Sequence, residues 1–284
     1  MKKYEELKQQ LTQIRDNDYN LPNGANVDGI IADMLGFIGH TDAELRDKLI
    51  YKTFVQWAEV KGIISTDKMK QILDICLSDA HLFYSIGESG TDSVFTRSFS
   101  SLIISVAFCV HDENPFLTAN DIQSIKETVL RYIALEKDFR GYVDGKGWAH
   151  AVAHIADALI NIAGCSVDNK LCIGREGFLE ILQAVKTLAC NNQHIYSAEE
   201  DERLAITPFV GAVYLNILTA KELMDWIDSF NMSDNEWWKG TVPGDYYLHV
   251  NRKNFMRSLY FKLLPHSGYE EVCKHMLGFL AEEK

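Results

Sequence analysis

The amino-acid sequence predicts an all-α protein, and three observations support this prediction. Apolar residues recur at the helical period almost throughout the 284 residues, and no stretch shows the sustained alternation of a strand. Ser, Thr and Asp precede many of these segments, as at Thr41 and Thr66, where N-cap residues are preferred. The connections are short, which makes neighbouring helices antiparallel. We therefore expect an α/α superhelix, a HEAT- or armadillo-like solenoid of helical hairpins.

Two other architectures are compatible with the same pattern. A closed α/α toroid is also built from helical hairpins, and a two-domain helical bundle is the third possibility. Hairpins of about 40 residues match the armadillo and HEAT unit size, although no consensus recurs at a fixed period. Because no long linker divides the chain, residues 1–284 are predicted to form one all-helical domain.

The helical elements follow one another along the whole chain. Gly62, Gly164 and Gly268 lie at their ends or in the turns between them, where glycine favours helix termination. The predicted helices are 2–16, 26–38, 42–60, 66–77, 93–111, 119–136, 147–163, 174–190, 199–216, 219–229, 246–264 and 267–281.

Net charge and the distribution of apolar residues indicate which partners and which cellular location are expected. The formal net charge is −12, from 28 Lys and Arg against 40 Asp and Glu, which disfavours binding to nucleic acid and to anionic membranes. The N-terminus lacks the apolar region of a signal peptide. The longest apolar run, 102–110, is about half the ~20 residues that cross a bilayer. We therefore expect a cytoplasmic protein with neither a nucleic-acid nor a membrane partner.

The six cysteines are scattered, and no Cys-x-x-Cys motif is present. This distribution is typical of reduced cysteines that pack as small apolar side chains. Cys165 and Cys172 flank a turn and are the one pair of cysteines that could bind a metal together.

The predicted helix 147–163 carries a polar stripe. At about 100° per residue, His150, His154 and Asp157 fall on one face, opposite an apolar face that includes Ile155. Three such ligands with water in an open position would suit a divalent metal such as zinc. The zincin pattern is absent because residue 151 is alanine. The same side chains could instead line a groove without metal, or hydrogen-bond to neighbouring helices.

Other polar residues are candidates for the same surface. Asp144 and Trp148 precede the stripe, at a predicted helix start where free N–H groups can bind an anion, although an ordinary tight turn is the preferred explanation of the glycines there. Stacked hairpins would align further polar residues on one concave face, and arginines in apolar helices also commonly pair with carboxylates. These further candidates are Arg97, Arg203, Asn254 and Arg257.

The absence of several catalytic motifs makes the corresponding enzyme classes less favoured. The sequence contains no Gly-x-Ser-x-Gly elbow, phosphate-binding loop, kinase signature or dinucleotide-binding fingerprint. The adjacent Trp237 and Trp238 could form either a packed plug or a stacking platform for a ligand. No cofactor is expected apart from the possible divalent metal.

Three segments resemble a known family. They are 139–154, which contains Gly-Trp-Ala-His-Ala-x-Ala-His, the upstream 97–100 and the downstream 254–261. Together they are similar to a bacterial family catalogued as a domain of unknown function, and the similarity covers most of residues 40–265. The resemblance implies an all-helical, superhelical fold and a cytoplasmic bacterial protein, and it implies no activity. Ile155 departs from the smaller residue expected there.

Two functions follow from these observations. The first is a binding module whose concave polar groove takes a peptide, a protein partner or a small polar ligand without turnover. The alternative is a hydrolase or lyase that uses His150, His154 and Asp157, with or without a divalent metal.

Overall fold

The computed structural model describes residues 3–167, 170–231 and 239–282. Trp237 and Trp238 lie outside the described residues, so neither prediction for this pair is tested. Within the described ranges the chain forms twelve helices and two short β-hairpins. The predicted all-α class is confirmed.

The helices are labelled in chain order. They are α1 (Lys3–Asp16), α2 (Val27–Gly36), α3 (44–60), α4 (Thr66–Cys76), α5 (Ser93–Glu113), α6 (Ala119–Leu135), α7 (Ala151–Gly164), α8 (Gly174–Ala189), α9 (Glu200–Val213), α10 (Ala220–Asp228), α11 (Gly244–Leu263) and α12 (Glu270–Glu282). The bounds agree with the predicted ranges to within about three residues, except at the start of α7. The third helix combines π-helical turns, Glu44–Tyr51 and Gln56–Val60, with the α-helical turn Lys52–Val55 between them.

The prediction that the chain lacks strands was wrong at two places. Strand β1 (Tyr142–Val143) pairs antiparallel with β2 (Gly147–Trp148), and β3 (Ser166–Val167) pairs antiparallel with β4 (Lys170–Leu171). The predicted helix 147–163 therefore begins at Ala151 instead. The reason is local, because Gly145 and Gly147 have φ values of 72° and 80° in the left-handed region, which is open to glycine and incompatible with a helix.

The described residues form two compact units. The first comprises residues 1–121 and 135–158. Within it, α4 and α3 pack against α5, and α1 packs against α3. Its interior contains the fully buried aromatic side chains of Phe54, Trp57, Phe95 and Phe108.

Helix α5 is the central helix of this unit. By length and composition it is apolar enough to cross a membrane, but 83% of that apolar window is buried inside the protein. Burial of this kind is typical of a core helix.

The second unit comprises residues 122–134 and 159–284. Helix α9 packs against both α8 and α11, while α12 packs against α10 and α11. Phe230 and Phe255 stack with ring centroids 5.4 Å apart. Gly211 allows close contact between α9 and α8, because an added Cβ would lie 2.1 Å from the Phe178 ring.

Candidate functional site

The β1–β2 hairpin presents two aromatic side chains at the surface. Tyr142 and Trp148 are direct cross-strand partners. Their ring centroids are 5.0 Å apart in an edge-to-face arrangement, which is favourable for aromatic pairs. Tyr142 is 58% exposed and Trp148 is 40% exposed. The hairpin therefore displays a paired aromatic surface, which we call the aromatic platform.

The side chain of Arg46 on α3 binds the backbone of this hairpin. Its guanidinium is fully buried, and Nη2 donates to the carbonyl oxygens of Lys146 at 2.9 Å and Trp148 at 3.1 Å. Nη1 donates to the carbonyl oxygen of His40 at 2.8 Å, and Nε lies 2.8 Å from Oδ1 of Asp47. Burial lowers the pKa of Arg46 and raises the pKa of the Asp47 carboxyl. Backbone carbonyls thus supply much of the stabilisation of this buried cation.

Two further kinds of contact fix Arg46 and the hairpin: aromatic rings of α5 around the guanidinium, and a close approach of Gly147 to Ala43. The Arg46 guanidinium carbon lies 4.3 Å from the Phe95 ring centroid and 4.8 Å from the Phe99 ring centroid. A Cβ added to Gly147 would lie 2.7 Å from the Ala43 Cβ, so only glycine allows this approach. The hairpin is consequently fixed by sterics as well as by hydrogen bonds.

His150 connects the aromatic platform to α7. Its φ is 49°, and its imidazole stacks on the Trp148 ring with centroids 4.1 Å apart. The His150 carbonyl accepts the His154 N–H at 2.9 Å. The two imidazoles lie 5.6 Å apart and almost perpendicular. The predicted proximity of the two histidines is therefore present, but His150 precedes the helix, so the predicted single helical stripe is wrong.

His154 faces inward. It is buried, and its Nδ1 lies 2.8 Å from the Ser98 hydroxyl oxygen on α5. The Ser98 hydroxyl also donates to the carbonyl oxygen of Ala149. Because a hydroxyl group has a single proton, His154 Nδ1 is the donor in its contact with Ser98. The Phe99 ring contacts the imidazole edge-on, with centroids 5.0 Å apart. These contacts orient His154.

Asp157 is partly exposed on α7. In the described part of the chain, no group of three or more His, Cys, Asp and Glu side chains is arranged to hold a metal ion. His150, His154 and Asp157 therefore do not form such a group in this conformation.

Asp144 is exposed in the turn between β1 and β2. The neighbouring Lys146 Nζ lies 2.6 Å from Oδ1 of Asp92, so this cation already has a carboxylate partner. Among the residues that the structure describes, no ion pair involving Asp144 is found. The turn thus adds a negative charge beside the aromatic platform.

With this geometry established, comparison with known proteins identifies the family. Residues 82–261, more than half of the chain, match the family described as Protein of unknown function (DUF2785). The chain belongs to the DUF2785 family. No curated protein and no solved structure matches it.

Arg97 lies within the DUF2785 match and is fully buried. Its Nε and Nη2 donate to the two carboxylate oxygens of Glu136 at 2.6 and 2.9 Å. Nη1 also donates to the carbonyl oxygen of Tyr84 at 3.0 Å and to the Ser93 hydroxyl at 2.8 Å. From the sequence, pairing with a carboxylate is the alternative to a role for Arg97 in the groove. The structure contains such a carboxylate, Glu136. Arg97 joins the 84–93 region to the segment after α6.

The remaining candidates of this DUF2785 protein belong to the second unit. On α11, Arg257 Nη1 donates to Oδ1 of Asn254 at 3.2 Å. Arg203 lies on α9, the helix that packs against α11. A groove shared by these residues and the histidines remains a prediction.

Two residues at the site were missed by sequence reasoning. Arg46 and Ser98 contact the hairpin and His154 across separations of about 50 to 100 residues, so no local pattern links them to these partners. Ser98 lies in one of the segments that carry the family resemblance, whereas Arg46 precedes the matched region.

We expect the two histidines to differ in their effect on stability. His154→Ala should lower the free energy of unfolding by about 1–3 kcal/mol, because it leaves the buried Ser98 hydroxyl with one partner fewer and opens a cavity beside Phe99. His150→Ala, which removes a partly exposed ring, should cost less. Urea unfolding of both variants measures the difference. Equal losses would contradict the assignment of His154 to the interior.

Proposed function

We propose that this DUF2785 protein is a binding module without turnover, and that its aromatic platform contacts a polypeptide segment carrying basic side chains. The observation that carries this proposal is the exposed Trp148 ring, which is held in place from two sides. His150 stacks against it, and Arg46 binds the carbonyl group of the same residue.

Fixed aromatic side chains are efficient binding groups. Trp and Tyr dominate many interfaces because they bury a large area with few rotatable bonds. Trp148 and Tyr142 are already packed against each other, so little further conformational entropy would be lost on binding. This supports a preformed contact surface.

The local charge supports a basic partner. The turn carries exposed Asp144, whereas the adjacent cations Lys146 and Arg140 pair with Asp92 and Asp138. A Lys or Arg side chain could rest on the Trp148 ring and approach the Asp144 carboxylate. The net charge of −12 would also favour encounter with a cationic segment.

The alternative is a hydrolase or lyase that uses His150, His154 and Asp157. A serine hydroxyl beside an imidazole, as in Ser98 and His154, is a pairing used for nucleophilic catalysis. Ser98 is fully buried, however, so a substrate would require the site to open. Elemental analysis of untagged protein tests the metal-dependent form, since a stoichiometric metal that His150→Ala removes would favour the enzyme.

The arrangement of the helices belongs to the same proposal. We propose that the hairpins stack into an α/α superhelix, with a closed toroid as the alternative, and that Arg203, Asn254 and Arg257 extend the binding groove. Packing of α8 on α9 and of α4 on α5 supports hairpin units. Small-angle X-ray scattering would separate an elongated superhelix from a closed ring.

The six free cysteines and the net charge of −12 support a cytoplasmic location.

A peptide array tests the binding function. The full chain is applied to immobilised dodecapeptides of matched hydropathy that carry basic, neutral or acidic side chains, and bound peptides are re-measured by fluorescence anisotropy. We expect preferential binding to basic peptides. Trp148→Ala should weaken it by about tenfold or more, equivalent to at least ~1.4 kcal/mol, because the central aromatic contact is removed.

Two further variants refine this test. Asp144→Asn should reduce the preference for basic peptides while leaving the aromatic contact. Tyr246→Ala is the matched control, because Tyr246 is also an exposed aromatic residue but lies on α11. Binding without charge preference, or equal losses in Trp148→Ala and Tyr246→Ala, would refute the proposed surface.

A further inference from the structure

We propose that Cys165 and Cys172 form a peroxide-oxidisable dithiol that closes reversibly into a disulfide. The two thiols flank the β3–β4 hairpin, and their Sγ atoms lie 3.4 Å apart. Both cysteines are reduced in this structure. This inference does not depend on the proposed binding function.

The hairpin register brings these two residues together. Val167 pairs with Lys170 and Ser166 pairs with Leu171, which sets Cys165 opposite Cys172. The Cys172 N–H donates to the Cys165 carbonyl oxygen at 3.0 Å. Directly opposed antiparallel partners have Cα atoms about 4.5–5.5 Å apart, which is within the usual range of about 4.4–6.8 Å for disulfides. Side-chain rotation alone can therefore close the remaining distance between the sulfur atoms.

The two thiols differ in access to solvent. Cys165 is buried, whereas Cys172 is partly exposed. A small oxidant in solution therefore meets Cys172 first, and Cys165 lies beside it as the resolving thiol. This arrangement of an accessible and an adjacent resolving cysteine is typical of reversible thiol oxidation.

The oxidation balances with hydrogen peroxide as the oxidant. The Cys172 thiolate attacks one peroxide oxygen, so an S–O bond forms, the O–O bond breaks and hydroxide leaves. The Cys165 sulfur then attacks the sulfenyl sulfur of Cys172, which forms the S–S bond and breaks the S–O bond. The proton from Cys165 leaves with the departing hydroxide as water. In total, two thiols and one peroxide give one disulfide and two water molecules.

The bond would connect the last turn of α7 to the start of α8, both of which belong to the second unit. Helix α7 ends at Gly164, immediately before Cys165, and α8 begins at Gly174, soon after Cys172. The disulfide would therefore hold the end of α7 to the start of α8 across the β3–β4 hairpin.

Other cysteines of the chain serve as internal controls. Burial raises the pKa of the Cys76 thiol, and partial desolvation raises that of the Cys109 thiol, which lowers the thiolate fraction of both. Cys109 is exposed to solvent on α5, so it reports the oxidation of an accessible thiol with a raised pKa.

Peptide mapping of the full chain tests the proposal. Reduced protein is treated with hydrogen peroxide, free thiols are alkylated, and the chain is digested with trypsin. Cleavage after Lys170 and Arg175 separates the two cysteines into peptides 147–170 and 171–175. We expect most of the Cys172 peptide to be recovered disulfide-linked to the Cys165 peptide, and dithiothreitol to release it.

Three variants identify the roles of the thiols. Cys165→Ser should abolish the linked peptide and leave a Cys172 sulfenic acid that dimedone traps. Cys172→Ser should abolish the link with little dimedone labelling of buried Cys165. Cys109→Ser should leave the link unchanged. The proposal is overturned if wild-type Cys165 and Cys172 are both recovered alkylated after peroxide, if Cys172 ends as sulfinic acid without a link, or if the disulfide joins other cysteines.

Discussion

Replacing Glu136 with Gln should lower the free energy of unfolding by about 3–5 kcal/mol, because it leaves the Arg97 guanidinium buried without a compensating charge. Arg97 is 0% exposed and Glu136 is 3% exposed, so water cannot replace the lost partner. The backbone N–H groups of Lys137 and Asp138 also donate to Glu136 Oε1 at 2.9 Å and would lose an anionic acceptor. Urea unfolding monitored by circular dichroism measures the change.

A surface ion pair provides the control for this prediction. On α10, Lys221 Nζ lies 2.6 Å from Oδ2 of Asp225, and both side chains are largely exposed. Asp225→Asn should cause no measurable loss of stability, since solvent screens such pairs. The double variant Arg97→Met, Glu136→Leu should recover part of the stability lost in Glu136→Gln. A small effect of Glu136→Gln would show that the pair is not buried as described.

Gly39→Ala should be the second strongly destabilising change, with a loss of about 3 kcal/mol or more. Gly39 follows α2 and approaches α5 closely. An added Cβ would lie 2.0 Å from Thr96 Oγ1, 2.5 Å from the Thr96 nitrogen and 2.6 Å from the Thr96 Cα. Two of these atoms belong to the backbone of a core helix, so rotation of a side chain cannot relieve the overlap.

Gly36→Ala is the matched control three residues away. Gly36 is the last residue of α2, and an added Cβ there would meet nothing within 4 Å. Because alanine has the higher helix propensity, this change should be neutral or slightly stabilising, by up to about 1 kcal/mol. Thermal unfolding of the two variants gives the comparison. Similar melting temperatures would contradict the close packing of Gly39 on α5.

The helices could be predicted because their signals are local. The N-cap of α4 is Ser65, one residue before the predicted Thr66, and its side chain accepts the Lys68 N–H. Thr219 and Glu222 form a capping box at α10. The β1–β2 hairpin was missed because its strands contain two residues each, too few for an alternating pattern. The left-handed glycines Gly145 and Gly147 were the available signal for a turn.

The candidate site could be predicted only in part. Spacing correctly indicated that His150 and His154 lie near each other, and the apolar context of Arg97 indicated a carboxylate partner. The identity of that partner, Glu136, depends on tertiary packing across 39 residues of sequence. Likewise, a single sequence contains no signal that pairs Arg46 with carbonyl groups of a distant hairpin.

The anchoring of the hairpin by Arg46 determines how this protein should be produced for binding studies. A fragment limited to the matched region, 82–261, would retain the aromatic platform but lack the guanidinium that binds the Lys146 and Trp148 carbonyls. Those carbonyls would then face solvent, and the Trp148 ring would lose one of its two supports. A failure of such a fragment to bind would reflect its boundaries and would say nothing about the intact chain. Fragments of this protein should therefore start upstream of α3.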